Sequence, residues 1–153
     1  MPLSTEILTR EIRKVSDESY ILFEGFPKST SETANRWANI VDIYTIDMIP
    51  TSTSRDQAKF LFSRSMEQVD IGTGFVVLKL AFATYANTLS LGMNPTFTGI
   101  APVTPILLET VAPIGLGGGS AKEVAIAMAN IIQQWFKTGV AINTSSGASI
   151  NWN

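Results

Sequence analysis

Phosphate binding is the chemistry that "GLGGGSAKE", residues 115–123, would do. Gly115, Gly117, Gly118 and Gly119 would open backbone N–H groups to an anion, and Lys122 would add a positive charge. The spacing argues against it. A P-loop carries Lys and then Ser or Thr directly after its last glycine. Here Gly119 is followed by Ser120, Ala121, Lys122 and Glu123. A dinucleotide fingerprint needs glycine at its sixth position, which is Ser120 here. Neither pattern has a strand–helix–strand frame around it. A simpler reading uses every residue. Ser120 caps a helix, Glu123 three positions later completes a capping box, and the glycines form a hinge in the approach loop.

Little else in the chain suits catalysis. There is no histidine, the commonest general base and metal ligand, and no cysteine to serve as thiol nucleophile or thiolate ligand. Asp42 and Asp47 lie five apart on one predicted helix, point in different directions and read as a solvated face, and Glu6 and Glu11 are a similar case. "REIRK", residues 10–14, reads as a solvated face. Serine and threonine are plentiful, but no G-x-S-x-G elbow is present. Trp37, Trp135 and Trp152 would make a base-stacking set, yet the first two sit on apolar helical stripes and read as core. A net charge of −2 leaves no basic footprint for nucleic acid. The expectation is therefore a non-enzyme with no cofactor, no metal, no small-molecule substrate and no nucleic-acid partner.

The elements that carry these residues are mostly helices. Ser4 caps "STEILTREIRKV", with Ile7, Ile12 and Val15 near one face and Leu8 beside them. That helix breaks near residues 16–19, before "YILFEGFP", which Gly25 and Pro27 end. Ser29 and Glu32 form a capping box ahead of a stripe of Ala34, Trp37, Val41, Tyr44 and Met48, stopped by Pro50. Ser54 and Gln57 repeat it before Ala58, Leu61, Phe62, Ser65 and Val69. In residues 71–92, Phe75, Leu78, Phe82, Tyr85 and Leu89 make the main stripe of a helix that is apolar all round, and so buried. Lys79, Asn87 and the lack of basic flanks argue against a membrane span.

Residues 93–119 form a Pro/Gly-rich connection with one short helix, capped by Thr104 and begun by Pro105. The last helix has Val124, Ala127, Met128, Ile131 and Trp135 on its face, and Gly139 in the left-handed position after it. The tail, 139–153, alternates around "TSSG". The fold expected is one mainly α domain over 1–153. It is a compact bundle of about five or six helices with a short extended or β-hairpin C-terminal tail.

Charge is unevenly divided. Residues 1–70 hold eight Lys/Arg and eleven Asp/Glu, whereas residues 71–153 hold only Lys79, Lys122, Lys137, Glu109 and Glu123. A free domain spreads charge over its surface, and interface cores are depleted in it. Much of the second half is therefore expected against other chains, with Ile142, Ile150 and Trp152 as tail contacts; a competing account makes it the core of the domain, wrapped by the first half, and predicts a monomer.

A charged helical front, an Ala/Gly/Thr-rich back and a turn-rich tail, carried most by "GLGGGSAKEVAIAMANIIQQWFKTGVAINTSSGASINWN", resemble small virion structural proteins of tailed bacteriophages. The resemblance is one of style and implies many copies arranged by symmetry, without catalysis. Its partners would be copies of itself and other virion proteins, and its location the virion, assembled in the host cytoplasm. Two alternatives stay open: a membrane-active helical protein of holin or toxin type built on residues 71–92, and a monomeric accessory binding module of a larger machine.

Overall fold

The computed structural model describes residues 3–16, 29–67, 74–111 and 119–153; the expectations for "YILFEGFP" lie outside them, as do the side chains of Val15, Val69 and Phe75. Within them are five α-helices: α1 (Thr5–Ser16), α2 (Thr30–Thr45), α3 (Arg55–Glu67), α4 (Gly74–Leu91) and α5 (Ala121–Phe136). Three short strands accompany them: β1 (Phe97–Ile100), β2 (Val140–Asn143) and β3 (Ser149–Asn151). The chain is mainly helical with a small β tail, as its patterning predicts.

Serine side chains start the helices. The Ser4 hydroxyl accepts from the Ile7 N–H at 3.4 Å, Ser29 from Glu32 at 3.1 Å and Ser120 from Glu123 at 3.2 Å. Each satisfies an N–H that the first helical turn leaves unpaired. Glu32 also reaches forward one turn to Arg36 at 2.6 Å. At α3 the expected Ser54 cap is replaced by a bond just ahead of the helix. Ser52 accepts from the Ser54 N–H at 3.2 Å and donates to the Leu89 carbonyl at 2.7 Å, tying the start of α3 to the end of α4. Ser120→Ala is expected to cost about 1 kcal/mol, read as a shift in the urea midpoint with unchanged slope. No shift would mean that the cap contributes nothing.

Consecutive helices α2, α3 and α4 pack side by side, and α1 lies on α5. Phe136 of α5 is the hub. Its ring centroid lies 5.6 Å from Tyr44 of α2, 6.2 and 6.3 Å from Phe82 and Tyr85 of α4, 5.1 Å from Trp135 and 6.4 Å from Trp152. Because Trp135 and Phe136 both turn inward, the buried face of α5 is Ala125, Met128, Ala129, Ile132, Trp135 and Phe136. Val124, Ala127 and Ile131 of the expected stripe lie at its partly buried edge. Trp37 is likewise packed at the edge of the core.

The hairpin expected at the tail is joined by a strand from the Pro/Gly-rich connection. The sheet order is β1-β2-β3, antiparallel throughout, with Ile100 opposite Val140 and Ala141 opposite Ile150. The helix expected from Thr104 and Pro105 does not form there; a 3-10 turn starts only at Leu108. A helix begun at Pro105 would need the Thr104 carbonyl for its first bond, and that carbonyl instead accepts from the Trp135 indole N–H at 2.7 Å. Gly139 is not left-handed either: among the described residues only Gly147 has positive φ, at 72°. No helix among the described residues is long and apolar enough to cross a membrane.

Candidate functional site

A helix apolar on every face is expected to be buried by its own domain or by a neighbour, and within this chain α4 is buried on one side only. A turn of 100° per residue puts Leu78, Ala81, Phe82, Tyr85, Ala86 and Leu89 on one side, and all are buried. The opposite row holds Val76, Leu80, Asn87 and Leu91, flanked by the half-buried Ala83 and Thr84. Val76 is 67% exposed, Leu80 56% and Leu91 70%. Apolar composition on every face could not distinguish the inner row from the outer one. The signal available was Asn87, whose spacing from Val76, Leu80 and Leu91 marks one row.

The segment after α4 runs along one flank of this row. Gly99 of β1 lies so close to Ser90 that a Cβ there would meet the Ser90 carbonyl oxygen at 2.5 Å. Further on, Glu109 in the 3-10 turn takes Lys79 at 3.1 Å. Its own backbone N–H and the Lys79 ammonium hold the Glu109 carboxyl below the usual carboxylate range. Ser90 and Lys79 share the same side of α4, one step round from the outer row. The segment between these contacts exposes Ile100, Val103 and Leu107. Its sequence, like the outer row, carries no charge from residue 80 to 108. Large apolar side chains therefore stand exposed both on α4 and on the segment after it, where Leu107 borders a groove against Ile131, Gln134 and Trp135 of α5, and the Lys79–Glu109 pair that links the two elements is satisfied within the chain.

The tail residues divide. Trp152 is fully buried in its own chain, where its indole N–H donates to the Val140 carbonyl at 3.1 Å. Its expected role as a contact to a neighbour is corrected on that ground: the surface it docks on is Gly139 and Phe136 of the same chain. A Cβ at Gly139 would collide with the Trp152 indole, which is why glycine follows α5. Asn153 extends the clamp by exchanging two backbone hydrogen bonds with Ile49, at 2.6 and 2.9 Å. Ile142 is half-buried on the outward face of the sheet, and Ile150 is 40% exposed on the edge strand. Of the hinge glycines, Gly115, Gly117 and Gly118 lie outside the described residues, and Gly119 is half-buried directly before Ser120.

Two of the acidic residues singled out from the sequence are paired with cations. Asp42, expected in solvent, is held by Arg55 at 2.7 Å, with Lys59 at 4.0 Å. Glu11, also expected in solvent, is enclosed between Arg10 at 3.0 Å and Lys14 at 2.9 Å. Both corrections have one cause: helix packing turned these carboxylates toward the body, and neighbouring cations offset the loss of water. Among the described residues no group of three Asp or Glu side chains could hold a metal ion. An open cleft of about 570 Å³ between α1 and α5 is bordered by Thr5, Arg10, Arg13, Ile126 and Asn130. Glu6, Ile7 and Thr9 complete its lining, all but Ile126 and Asn130 coming from the single helix α1. The feature with the clearest consequence is the uncharged outer face of α4 and its flank. Compared with known proteins, the sequence matches no family model, no curated protein and no solved structure.

Proposed function

We propose that this protein is a non-catalytic structural subunit of a multi-copy assembly, a component of a tailed-bacteriophage particle. One observation carries the assembly reading: the outer row of α4 leaves Val76, Leu80 and Leu91 exposed with no charge among them, and Ile100, Val103 and Leu107 of the segment that follows are exposed as well. Large exposed apolar patches mark interaction sites, because covering them returns ordered water to bulk. The particle assignment rests on the sequence resemblance and on the charge partition behind it. The mechanism is burial of this surface against neighbouring subunits while the charged faces of α1, α2 and α3 stay wet.

Absolute mass by light scattering, across a wide concentration range, tests the reading on the full chain. A discrete oligomer is expected. A monomer at every concentration would overturn it and favour the accessory-module alternative. The full chain is the right object. Ending it at Thr138 removes Trp152 from the core, so loss of assembly there would report unfolding.

A further inference from the structure

We propose that the outer row of α4 is a contact between two copies of this chain. The two α4 helices pair in parallel about a twofold axis along their length, each residue against its counterpart. This inference rests on the assembly reading and names the surface that makes the assembly.

The spacing is the first argument. Val76, Leu80, Ala83 and Asn87 follow one another at steps of four, three and four. That is the d, a, d, a seam of a heptad repeat, the pattern by which two helices keep one stripe in contact. Ala83, small and central, allows the axes to approach to about 8–10 Å. Asn87 is the second argument. Its exposed side-chain amide takes no partner among the described residues. An amide both donates and accepts, so two copies of Asn87 satisfy one another across a twofold axis. A single asparagine at a seam position also sets register and copy number. Antiparallel pairing centred on this row would set Asn87 over Leu80 and strand the amide.

Charge selects a second copy over a charged partner. The row has no ionic side chain to answer a foreign charge. Lys79, the sole charge on α4, is tied to Glu109 of its own copy at 3.1 Å. Two copies therefore meet neutral surface to neutral surface, with no like charges opposed. Size sets the extent. The 18 residues of α4 span about 27 Å. A helix pair of that length covers less than the roughly 800 Å² per partner of a stable interface. A contact of this size makes a concentration-dependent pair, so the mass is read across a wide concentration range.

Leu80 is the residue to change, because it is central to the row and outside the core. The full chain is expected to show an even-numbered mass, and Leu80→Glu to halve it with unchanged circular dichroism. Mixing Leu80→Glu with Leu80→Lys is expected to restore the mass, since the two side chains meet across the axis. The chain has no cysteine. Leu80→Cys therefore gives a clean second readout: mild oxidation should trap a disulfide-linked dimer, while Asp56→Cys on α3 should stay monomeric on a denaturing gel. The cysteine variant decides if Leu80→Glu fails to fold. An oligomer whose mass ignores Leu80→Glu, with no cross-link at Leu80→Cys, overturns this contact and leaves the assembly reading standing. Cross-linking only in a mixture of Leu80→Cys and Asn87→Cys overturns the parallel pairing. A monomeric full chain overturns both.

Discussion

Trp152→Ala is expected to destabilise the fold by about 3–5 kcal/mol, the range for removing a large aromatic side chain from a packed interior. Trp152 directly follows β3 in the tail. Here it is fully buried, its ring tilted 36° to Phe136 and its backbone N–H bonded to the Gly139 carbonyl at 2.9 Å. The substitution opens a cavity beside Phe136, which touches rings from α2 and α4. It also frees the Val140 carbonyl from its indole partner. Urea denaturation followed by circular dichroism measures the loss. A double-mutant cycle sharpens it. Gly139→Ala alone should cost about 1–3 kcal/mol through collision with the indole, and almost nothing once Trp152 is already alanine. A loss below about 1 kcal/mol for Trp152→Ala would mean that the tail is not part of the core.

Stability is expected to fall steeply above about pH 10, the ordinary tyrosine pKa. Burial pushes the Tyr44 and Tyr85 phenols far above that value. Tyr44 donates to the Gln133 side chain at 3.3 Å, and the Tyr85 and Thr45 hydroxyls share a bond of 2.6 Å. The sign follows from linkage. Below pH 10 both states keep both protons and the contribution is fully present. Above it the unfolded chain releases protons that the folded chain retains, so unfolding is favoured. Each phenol contributes a slope of about 1.4 kcal/mol per pH unit. Two phenols amount to about 5 kcal/mol by pH 12, comparable with the whole stability of many domains. Tyrosinate absorbance and circular dichroism should therefore change together for two of the three tyrosines. A Tyr44→Phe/Tyr85→Phe chain should lose most of the slope. Smooth ionisation of all three near pH 10, with helicity intact, would sink the prediction.

Helix positions were legible because they depend on neighbours in sequence. Ser4, Ser29 and Ser120 could be read as caps, since each bonds an N–H three residues on. On α2 the spacing found Ala34, Val41 and Tyr44 of the buried stripe, whereas on α5 it found Met128 and Trp135 and set the rest of the face one residue early. The hairpin was legible from alternation around "TSSG". β1 was not. Four residues of alternation are too few to see, and its partner β2 lies about forty residues away.

The interaction surface was legible as a shortage of charge and not as a place. Composition put the uncharged residues in the second half of the chain. It could not say that α4 turns Leu78 and Phe82 inward and leaves Val76 and Leu80 in water. That choice belongs to α3, which packs against one side of α4, and to the chain following it, which packs against another. The same holds for Asp42 and Trp152. Asp42 met Arg55 only when α2 and α3 were set side by side. Trp152 had the look of an arm reaching outward until the sheet folded it over Gly139. What the sequence determined by itself was local: caps, periodicity, turn residues, and the absence of the histidine and cysteine that most sites use. What only the tertiary structure decided was which face of each element is inside. Burial depends on all the neighbours at once, and most of them are distant in sequence.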